Sequence, residues 1–334
     1  MTRPVSSWKH PENHLKELLT NPWYQAVNKI LSTILALTHD FYKQEGIAPT
    51  IFPITTGSVS SPFGLGSDSL PVKVDIRGHD IYLADSMQFS LEIAARLNSK
   101  GAYYIMPSFR GEDMDSRHLN EFIHSEAEIK GSLTDVMALV EKYIKYLVQG
   151  LKNNCSAEII AIAGDVEHLD KALNSSFHKI RFDEALKELS NTGGAWKELS
   201  DGLLSITPAG EQELIKRYGE FTWITNMPHR SVPFYQAKEL GTEFSMTGDL
   251  LAGIGEILGC GQRVLSAEDA KNSLAEHEVS EDGYKWYIEM RDINSVQTSG
   301  FGLGMERFML WILKHDDVRD CALLIRDHSR VIFP

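Results

Sequence analysis

The chain has 334 residues, of which 43% are hydrophobic, so it is long enough to bury a large core. Its 46 acidic and 33 basic residues give a formal charge of −13, which weakens long-range attraction to a polyanion and predicts no DNA partner. Because the sequence has no membrane-length apolar run, no secretory pattern and no CxxC among its three cysteines, we expect a cytoplasmic protein with no membrane partner.

The first forty residues predict a helical extension at the N-terminus. Trp8, Trp23 and Tyr24 lead into an apolar pattern from Val27 to Phe41 that has helical spacing. We expect this pattern to form the first helix of the domain.

Residues 109–129 predict a charged loop followed by a half-buried strand. The alternation places two sets on opposite faces: Leu119, Ile123, Ala127 and Ile129 on one, and His118, Asn120, Phe122, His124 and Glu126 on the other. Phe122 is an aromatic ring among polar groups, and Arg110 and Arg117 precede it. Such a ring stacks on a base while the cations hold its phosphates. An amphipathic hairpin with a solvated turn is the alternative.

Two further segments follow this strand. Residues 133–152 have helical periodicity, and residues 153–220 mix short helical patterns with Asn-Thr-Gly-Gly at 191–194. We expect about 153–220 to be a peripheral insertion.

The segment from Asp249 to Arg263 is apolar but carries isolated charges, which need partners when they are buried. A regular strand would point Asp249 and Glu256 to opposite faces, whereas a bulge or turn at Gly253 or Gly255 would bring them together. Two such carboxylates suit a Mg²⁺ that bridges nucleotide phosphates. Two separate structural ion pairs are the alternative.

A glycine-rich run at residues 300–304 precedes a nearly continuous apolar helix pattern from Met305 to Leu313. Arg307 falls in the first turn of this helix, where the helix dipole disfavours a cation, so we expect an anion nearby. Local pairing with Glu306 is the competing explanation.

Taken in this order, the segments resemble motifs 2 and 3 of class II aminoacyl-tRNA synthetases, in the branch of the aspartyl and asparaginyl enzymes. The resemblance extends over residues 25–334, and Pro53 resembles the motif 1 proline of the dimer interface. It implies an α+β fold with an antiparallel sheet flanked by helices. It also implies a homodimer that uses ATP and Mg²⁺ to activate a small amino acid as its adenylate.

Carried over residue by residue, the resemblance implies that Arg110 holds the α-phosphate and that Phe122 stacks on adenine. Arg307 would cover the other face of the adenine and meet the γ-phosphate, with Arg117 and His118 near the β- and γ-phosphates. The remaining implied contacts are Asp249 and Glu256 on Mg²⁺, Glu112 near the adenine or the amino acid, Ser86 and Gln88 beside the amino group, and Arg263 on the substrate side chain.

One departure from the family concerns the substrate side chain. Enzymes of this branch that activate aspartate usually carry a lysine three residues beyond the position of Gln88, where this chain has Leu91. Arg263 without that lysine is a poor host for a second carboxylate, so the sequence favours asparagine over aspartate.

Two other departures lie elsewhere in the pocket. The Pro-His that precedes motif 3 in the family is Gln297-Thr298 here. The flexible loop that usually offers a glutamate to the amino group is residues 60–69, in which Asp68 or Ser67 is the expected substitute.

The length leaves no room for the anticodon-binding barrel of the family, so we expect residues 1–334 to form one catalytic domain. With the acidic charge, this favours a stand-alone paralogue that passes the aminoacyl group to ammonia, a small amine or a protein. The alternatives are asparaginyl-tRNA formation without a barrel, asparagine synthesis, and a non-catalytic sensor of amino acid or nucleotide; a tRNA partner stays open.

Overall fold

The computed structural model describes residues 7–61, 69–199, 202–327 and 332. The helices are α1 (Pro11–Thr20), α2 (Pro22–Glu45), α3 (Gln88–Leu97), α4 (Leu133–Ala163), α5 (Glu167–Asn174), α6 (Phe182–Leu189), α7 (Pro208–Tyr218), α8 (Ala267–Glu276), α9 (Lys285–Ile293) and α10 (Met305–Ile312). The strands are β1 (Ala48–Pro49), β2 (Thr55–Thr56), β3 (Val72–Ile76), β4 (His79–Leu83), β5 (Gly101–Phe109), β6 (Glu121–Lys130), β7 (His178–Arg181), β8 (Trp196–Glu198), β9 (Leu204–Ile206), β10 (Thr222–Thr225), β11 (Thr247–Ala252), β12 (Gly255–Gln262) and β13 (Thr298–Gly304).

An eight-stranded sheet organises the described chain, in the order β1-β5-β6-β13-β12-β11-β10-β7. Neighbouring strands are antiparallel, except that β1 pairs with β5 and β7 with β10 in parallel at the two edges. The predicted α+β fold with an antiparallel sheet flanked by helices is therefore confirmed. The sequence predicted a half-buried strand at β6, but residues 125–128 are buried on both faces because β6 lies inside the sheet.

Helices α2 and α4 pack together and contribute to the main apolar core. In α2 the side chains of Val27, Ile30 and Ile34 are fully buried, at the spacing that forms one helical stripe. The side chain of Asn21 caps the helix by accepting from the backbone N–H of Trp23 at 3.0 Å. The helix predicted from Val27 to Phe41 therefore lies within α2 and is part of the core.

The segment after residue 153 begins inside a helix, because α4 continues to Ala163. Beyond α4, strand β7 pairs with β10 at the edge of the main sheet, and α7 packs against β12. This part of the chain thus completes one sheet edge and reaches the centre of the sheet. Its treatment as a separate insertion stays a prediction.

Helix α4 has 31 residues and is the longest in the described ranges. Neither it nor any other described helix combines the length and apolar character needed to cross a bilayer.

Candidate active site

A cleft of about 400 Å³ lies over β6, β12 and β13. Along β6, the side chains of Phe122, His124, Glu126 and Glu128 all line it, because alternate residues of a strand share a face. Two residues span about 6.6 Å of strand. A ligand lying along β6 therefore meets an aromatic ring, an imidazole and two carboxylates in turn.

Strand β13 presents glycines to the same cleft, directly opposite the acidic residues of β6. Gly300 pairs with Glu128 and Gly302 with Glu126. A Cβ at Gly300 would lie 1.8 Å from Glu128 Oε2, and one at Gly302 would lie 2.9 Å from Glu126 Oε1. Strand β13 therefore needs glycine at these positions to let the two carboxylates lie across it.

Three arginines gather at the Phe122 end of the cleft. The guanidinium carbon of Arg110 lies 5.4 Å from the centre of the Phe122 ring. Arg307 Nε donates to the backbone carbonyl of Arg117 at 3.1 Å. Burial, together with the charges of Arg110 and Arg117, lowers the pKa of Arg307. An anionic ligand would stabilise such a cluster of cations.

Glu306 does not account for the position of Arg307. Its carboxyl oxygens accept from the backbone N–H of Ile123 at 3.2 and 3.1 Å, so its described contact is with strand β6. Burial raises the pKa of Glu306 to about 7. The competing explanation of a local Glu306–Arg307 pair is therefore not supported by these contacts.

Asp249 and Glu256 come together across the β11–β12 hairpin. The chain turns at Gly253, which has a φ of 60°, and the pairing shifts register between Leu250 and Leu251. As a result, one carboxylate oxygen of each residue lies 3.4 Å from the position that a Cβ would take at Gly259.

The pKa of Asp249 reflects its burial and the negative charge around it. Burial, followed by the charges of Glu256 and Glu211, raises the pKa of Asp249 well above its usual value. Arg307 Nη1 lies 3.6 Å from Glu256 Oε2. Two converging hard oxygen donors with excess negative charge suit a divalent cation such as Mg²⁺.

Helix α7 adds a carboxylate that sequence reasoning missed. Glu211 Oε2 accepts from Arg117 Nη2 at 2.9 Å, and a Cβ at Gly255 would lie 2.1 Å from the same oxygen. Burial raises the pKa of Glu211, with Arg117 opposing the shift and Glu256 adding to it. Arg117 and Glu211 are 94 residues apart, so no local pattern could have indicated this contact.

The middle of β6 holds an ionised carboxylate. Ser86 Oγ donates to Glu126 Oε2 at 2.6 Å, the Tyr104 hydroxyl donates to the same oxygen, and His124 Nδ1 lies 2.9 Å from Glu126 Oε1. Although burial opposes ionisation, His124 and the two hydroxyls hold the pKa of Glu126 below its usual value. The site therefore offers a buried negative charge to a ligand ammonium group.

A buried ion pair closes the far end of the cleft. Arg263 Nη2 donates to Glu128 Oε2 at 3.0 Å, and Arg263 Nη1 donates to Gln236 Oε1 at 2.8 Å. Burial raises the pKa of Glu128, and the charge of Arg263 opposes that shift. Despite its own burial, Arg263 has a raised pKa because of Glu128, so the guanidinium stays charged.

Helix α3 places Gln88 and Leu91 at the same end of the cleft. Gln88 Nε2 donates to Glu92 at 2.7 Å, and Glu92 pairs with Arg291 at 2.7 Å. Gln88 Oε1 is buried and has no hydrogen-bond partner in the described part of the chain. It is an acceptor to which a ligand can donate, and Leu91 provides an apolar wall.

Two more of the predicted residues lie at the mouth of the cleft or beyond it, and two others are not described. His118 lines the cleft and is 47% exposed, with its Nδ1 2.8 Å from Asp115. Glu112 Oε2 is buried without a hydrogen-bond partner among the residues that the structure covers. Asp68 and Ser67 lie outside the described residues.

Sequence reasoning put Glu126 on the polar face of β6 but gave it no role, and it missed Glu128. Both could have been found by extending the alternation from Phe122 along the strand, since every second residue faces the cleft. The ion pair of Glu128 with Arg263 joins residues 135 positions apart and could not be read from the sequence.

Comparison with known proteins agrees with this geometry. Residues 10–328 match the family described as tRNA synthetases class II (D, K and N). The asparagine–tRNA ligase of Thermoplasma acidophilum is 32% identical over 302 residues, which cover 89% of this chain and 68% of that protein.

Solved structures give the same result. Asparaginyl-tRNA synthetase of Pyrococcus horikoshii, complexed with asparaginyl-adenylate, superposes with a TM-score of 0.87 at 27% identity, covering 96% of this chain and 72% of that one. Aspartyl-tRNA synthetase of Entamoeba histolytica shares the fold, with a TM-score of 0.79 at 20% identity over 99% of this chain and 64% of that one.

Proposed function

Because this chain belongs to the class II tRNA synthetases of the D, K and N group, which are ATP-dependent ligases, we propose that it activates asparagine as asparaginyl-adenylate. The observation that carries the choice of asparagine is the pairing of Arg263 with Glu128 at the far end of the cleft.

The paired charges discriminate between an amide and a carboxylate. The carboxamide of asparagine can accept from the Arg263 guanidinium and donate to the Glu128 carboxylate, so both of its polar ends are matched. An aspartate carboxylate would meet Glu128 as a like charge, and Leu91 supplies no compensating cation. The relatives named above are consistent with this substrate.

The rest of the cleft fits an adenylate extended along β6. Adenine would stack on Phe122, Arg110 would hold the α-phosphate, and the substrate ammonium group would pair with Glu126 beside Ser86. Attack of a carboxylate on the α-phosphate needs alignment and charge neutralisation rather than a protein nucleophile. The arginine cluster described above supplies this charge.

Mg²⁺ fits the remaining acidic pair. Asp249 and Glu256 would hold it, and when bound it would neutralise charge on the phosphates of ATP. Arg117 and Arg307, next to these acids, would contact the same phosphates, with His118 at the mouth of the cleft.

We further propose a homodimer that forms through the segment after α2, which resembles motif 1. Strand β1 is an edge of the main sheet, and the side chain of Ile51 just beyond it is 88% exposed. An apolar group beside an open sheet edge is suited to a subunit contact.

The acceptor of the aminoacyl group is a separate question. Transfer to tRNA is the activity in the names of the relatives, and we propose it as the first candidate. Transfer to a small amine is the second candidate, because a chain with a formal charge of −13 attracts a polyanion weakly.

Amino-acid-dependent exchange of pyrophosphate into ATP tests the proposed activation directly. We expect exchange with asparagine, and with aspartate at least about tenfold less efficiently, since a buried like charge costs more than 1 kcal/mol. No exchange with any amino acid, or a preference for aspartate, would contradict the proposal.

The substitution Glu128→Gln tests the reason for the preference. Removing this negative charge leaves Arg263 free to pair with a carboxylate, so we expect kcat/KM for aspartate to rise relative to asparagine by about tenfold or more. Glu121→Gln, at the start of the same strand, is the matched control and should leave the ratio as in the wild type.

A further inference from the structure

His124 lies where an adenylate along β6 would react. Phe122 is two residues before it and Glu126 two residues after it, and all three side chains face the cleft. If adenine stacks on Phe122 and the ammonium group pairs with Glu126, then the acyl phosphate between them lies over His124. This placement depends on the function proposed above.

The ring of His124 is held from one side. Its Nδ1 lies 2.9 Å from Glu126 Oε1 and 2.9 Å from Ser108 Oγ, which is fully buried on β5. The Phe122 ring packs edge-on against the imidazole, with ring centres 4.7 Å apart. These contacts fix the orientation of the ring.

The other nitrogen, Nε2, makes no hydrogen bond to a residue in the described ranges. In the neutral imidazole whose Nδ1–H donates to the Glu126 carboxylate, Nε2 carries the lone pair. An imidazole oriented by a carboxylate, with its second nitrogen open to a cleft, is the arrangement of a general base.

We propose that His124 is the general base of the transfer step, in which Nε2 takes the proton from the amine or hydroxyl group that attacks the adenylate. The nucleophile forms a bond to the acyl carbon, and the bond from that carbon to the phosphate oxygen breaks. AMP leaves with the electron pair, and the proton of the nucleophile ends on Nε2.

Three charged groups lie around the imidazole of His124. Glu126 is on the same strand, Arg110 stands over Phe122 from the loop after β5, and Glu306 reaches from α10 to the backbone of Ile123. Adenylate formation, by contrast, starts from a carboxylate that has no proton to lose, so it does not need a base.

The test compares the two half-reactions in His124→Gln. Activation is measured as asparagine-dependent ATP–pyrophosphate exchange, and transfer as a single turnover of preformed adenylate with total tRNA and, separately, with hydroxylamine. We expect transfer to fall by about 100-fold, the usual contribution of a general base, and exchange to fall by less than about fivefold. His10→Gln, at an exposed histidine with 64% of its side chain accessible, is the control for both assays.

The pattern of losses decides the outcome. Equal losses in both half-reactions would show that His124 acts on the adenylate itself, and undiminished transfer would show that no base is needed there; either result overturns the proposal. No exchange by the wild type with any amino acid would instead remove the proposed function, on which this step depends.

A second variant separates base chemistry from structure. In His124→Ala, added imidazole should restore transfer in proportion to its concentration, while exchange should not respond. Imidazole that restores neither reaction, in a variant that still exchanges pyrophosphate, would contradict a role in proton transfer.

Discussion

The absence of a side chain at Gly300 is what allows Glu128 to reach Arg263. The carboxylate lies across β13 at the position where any other residue would carry its Cβ. The two charged groups are 0% and 5% exposed, so losing one partner leaves the other buried without compensation. The glycine at position 300 of β13 therefore determines whether Glu128 of β6 can place its charge in the pocket.

Gly300→Ala should remove asparagine activation. The added methyl group would stand 1.8 Å from Glu128 Oε2 and 2.7 Å from both Arg263 Nη2 and the carbonyl oxygen of Ala127, so the ion pair must separate and the strands must shift. We expect kcat/KM for asparagine in pyrophosphate exchange to fall by at least about 100-fold, with a loss of stability of about 3 kcal/mol. Gly193→Ala, where nothing lies within 4 Å of the added methyl group, should behave as the wild type, and equal effects of the two changes would refute this account.

Glu306 predicts a dependence of stability on pH. Its pKa is raised by burial from 4.5 to about 7, so between these values the folded chain binds more protons than the unfolded one. Through this group the free energy of unfolding falls as pH rises from about 4.5 to about 7, by at most about 3 kcal/mol.

Glu306→Gln removes this contribution. Relative to the wild type, the variant should be least stable near pH 4.5 and should gain about 2–3 kcal/mol by pH 8. Denaturant unfolding of both proteins at several pH values measures this difference in stability. Glu128 contributes equally to the stability of both proteins, so it cancels from the difference. Parallel stability curves would show that Glu306 is not protonated in the folded state.

A hairpin and a helix form the end of the cleft where we propose that the phosphates bind. The β11–β12 hairpin brings Asp249 and Glu256 together, and the sequence indicated this through the glycines at which the chain turns. The position of α7 was not predictable, because it depends on packing against β12 rather than on a local pattern. This helix places Glu211 against Arg117 and so fixes the side chain of Arg117, which lies in a loop.

Glu211→Gln should therefore weaken ATP binding through Arg117. With its partner gone, Arg117 loses its fixed orientation, so we expect the KM for ATP to rise about threefold to tenfold with a smaller change in kcat. Arg117→Gln should have the larger effect. In the double variant the loss should equal that of Arg117→Gln alone, and additive losses would mean that Glu211 acts independently of Arg117.

At the scale of the whole molecule, the order of the motifs predicted the antiparallel sheet, through the family resemblance that it carries. The alternation in β6, the glycines of β13 and the apolar pattern of α10 each reflect a local geometric requirement. The ion pair of Arg263 with Glu128 and the contact of Glu211 with Arg117 join distant parts of the chain. The sequence named Arg117 and Arg263, but it could not indicate these two contacts, because only the folded chain brings the partners together.

The proposed dimer gives a prediction at this scale. Ile51→Asp places a charge at the exposed edge near β1 and should convert a dimer into a monomer, as measured by sedimentation at micromolar concentration. Leu240→Asp, at a 99% exposed residue between β10 and β11, should leave the assembly unchanged. A wild-type chain that sediments as a monomer would rule out the dimer.

The regular rise of β6 also sets a limit on substrate length. The proposed ammonium site at Glu126 and the proposed amide site at Glu128 are separated by two residues of strand, about 6.6 Å, and this interval is a property of the main chain. Glutamine, with one more methylene, would have to compress or bend between the two sites, and serine would fall short of the second. Replacing Glu128, Arg263 or Leu91 can thus change the charge of the substrate side chain that is accepted. The length of the accepted side chain is set by the backbone and should not change.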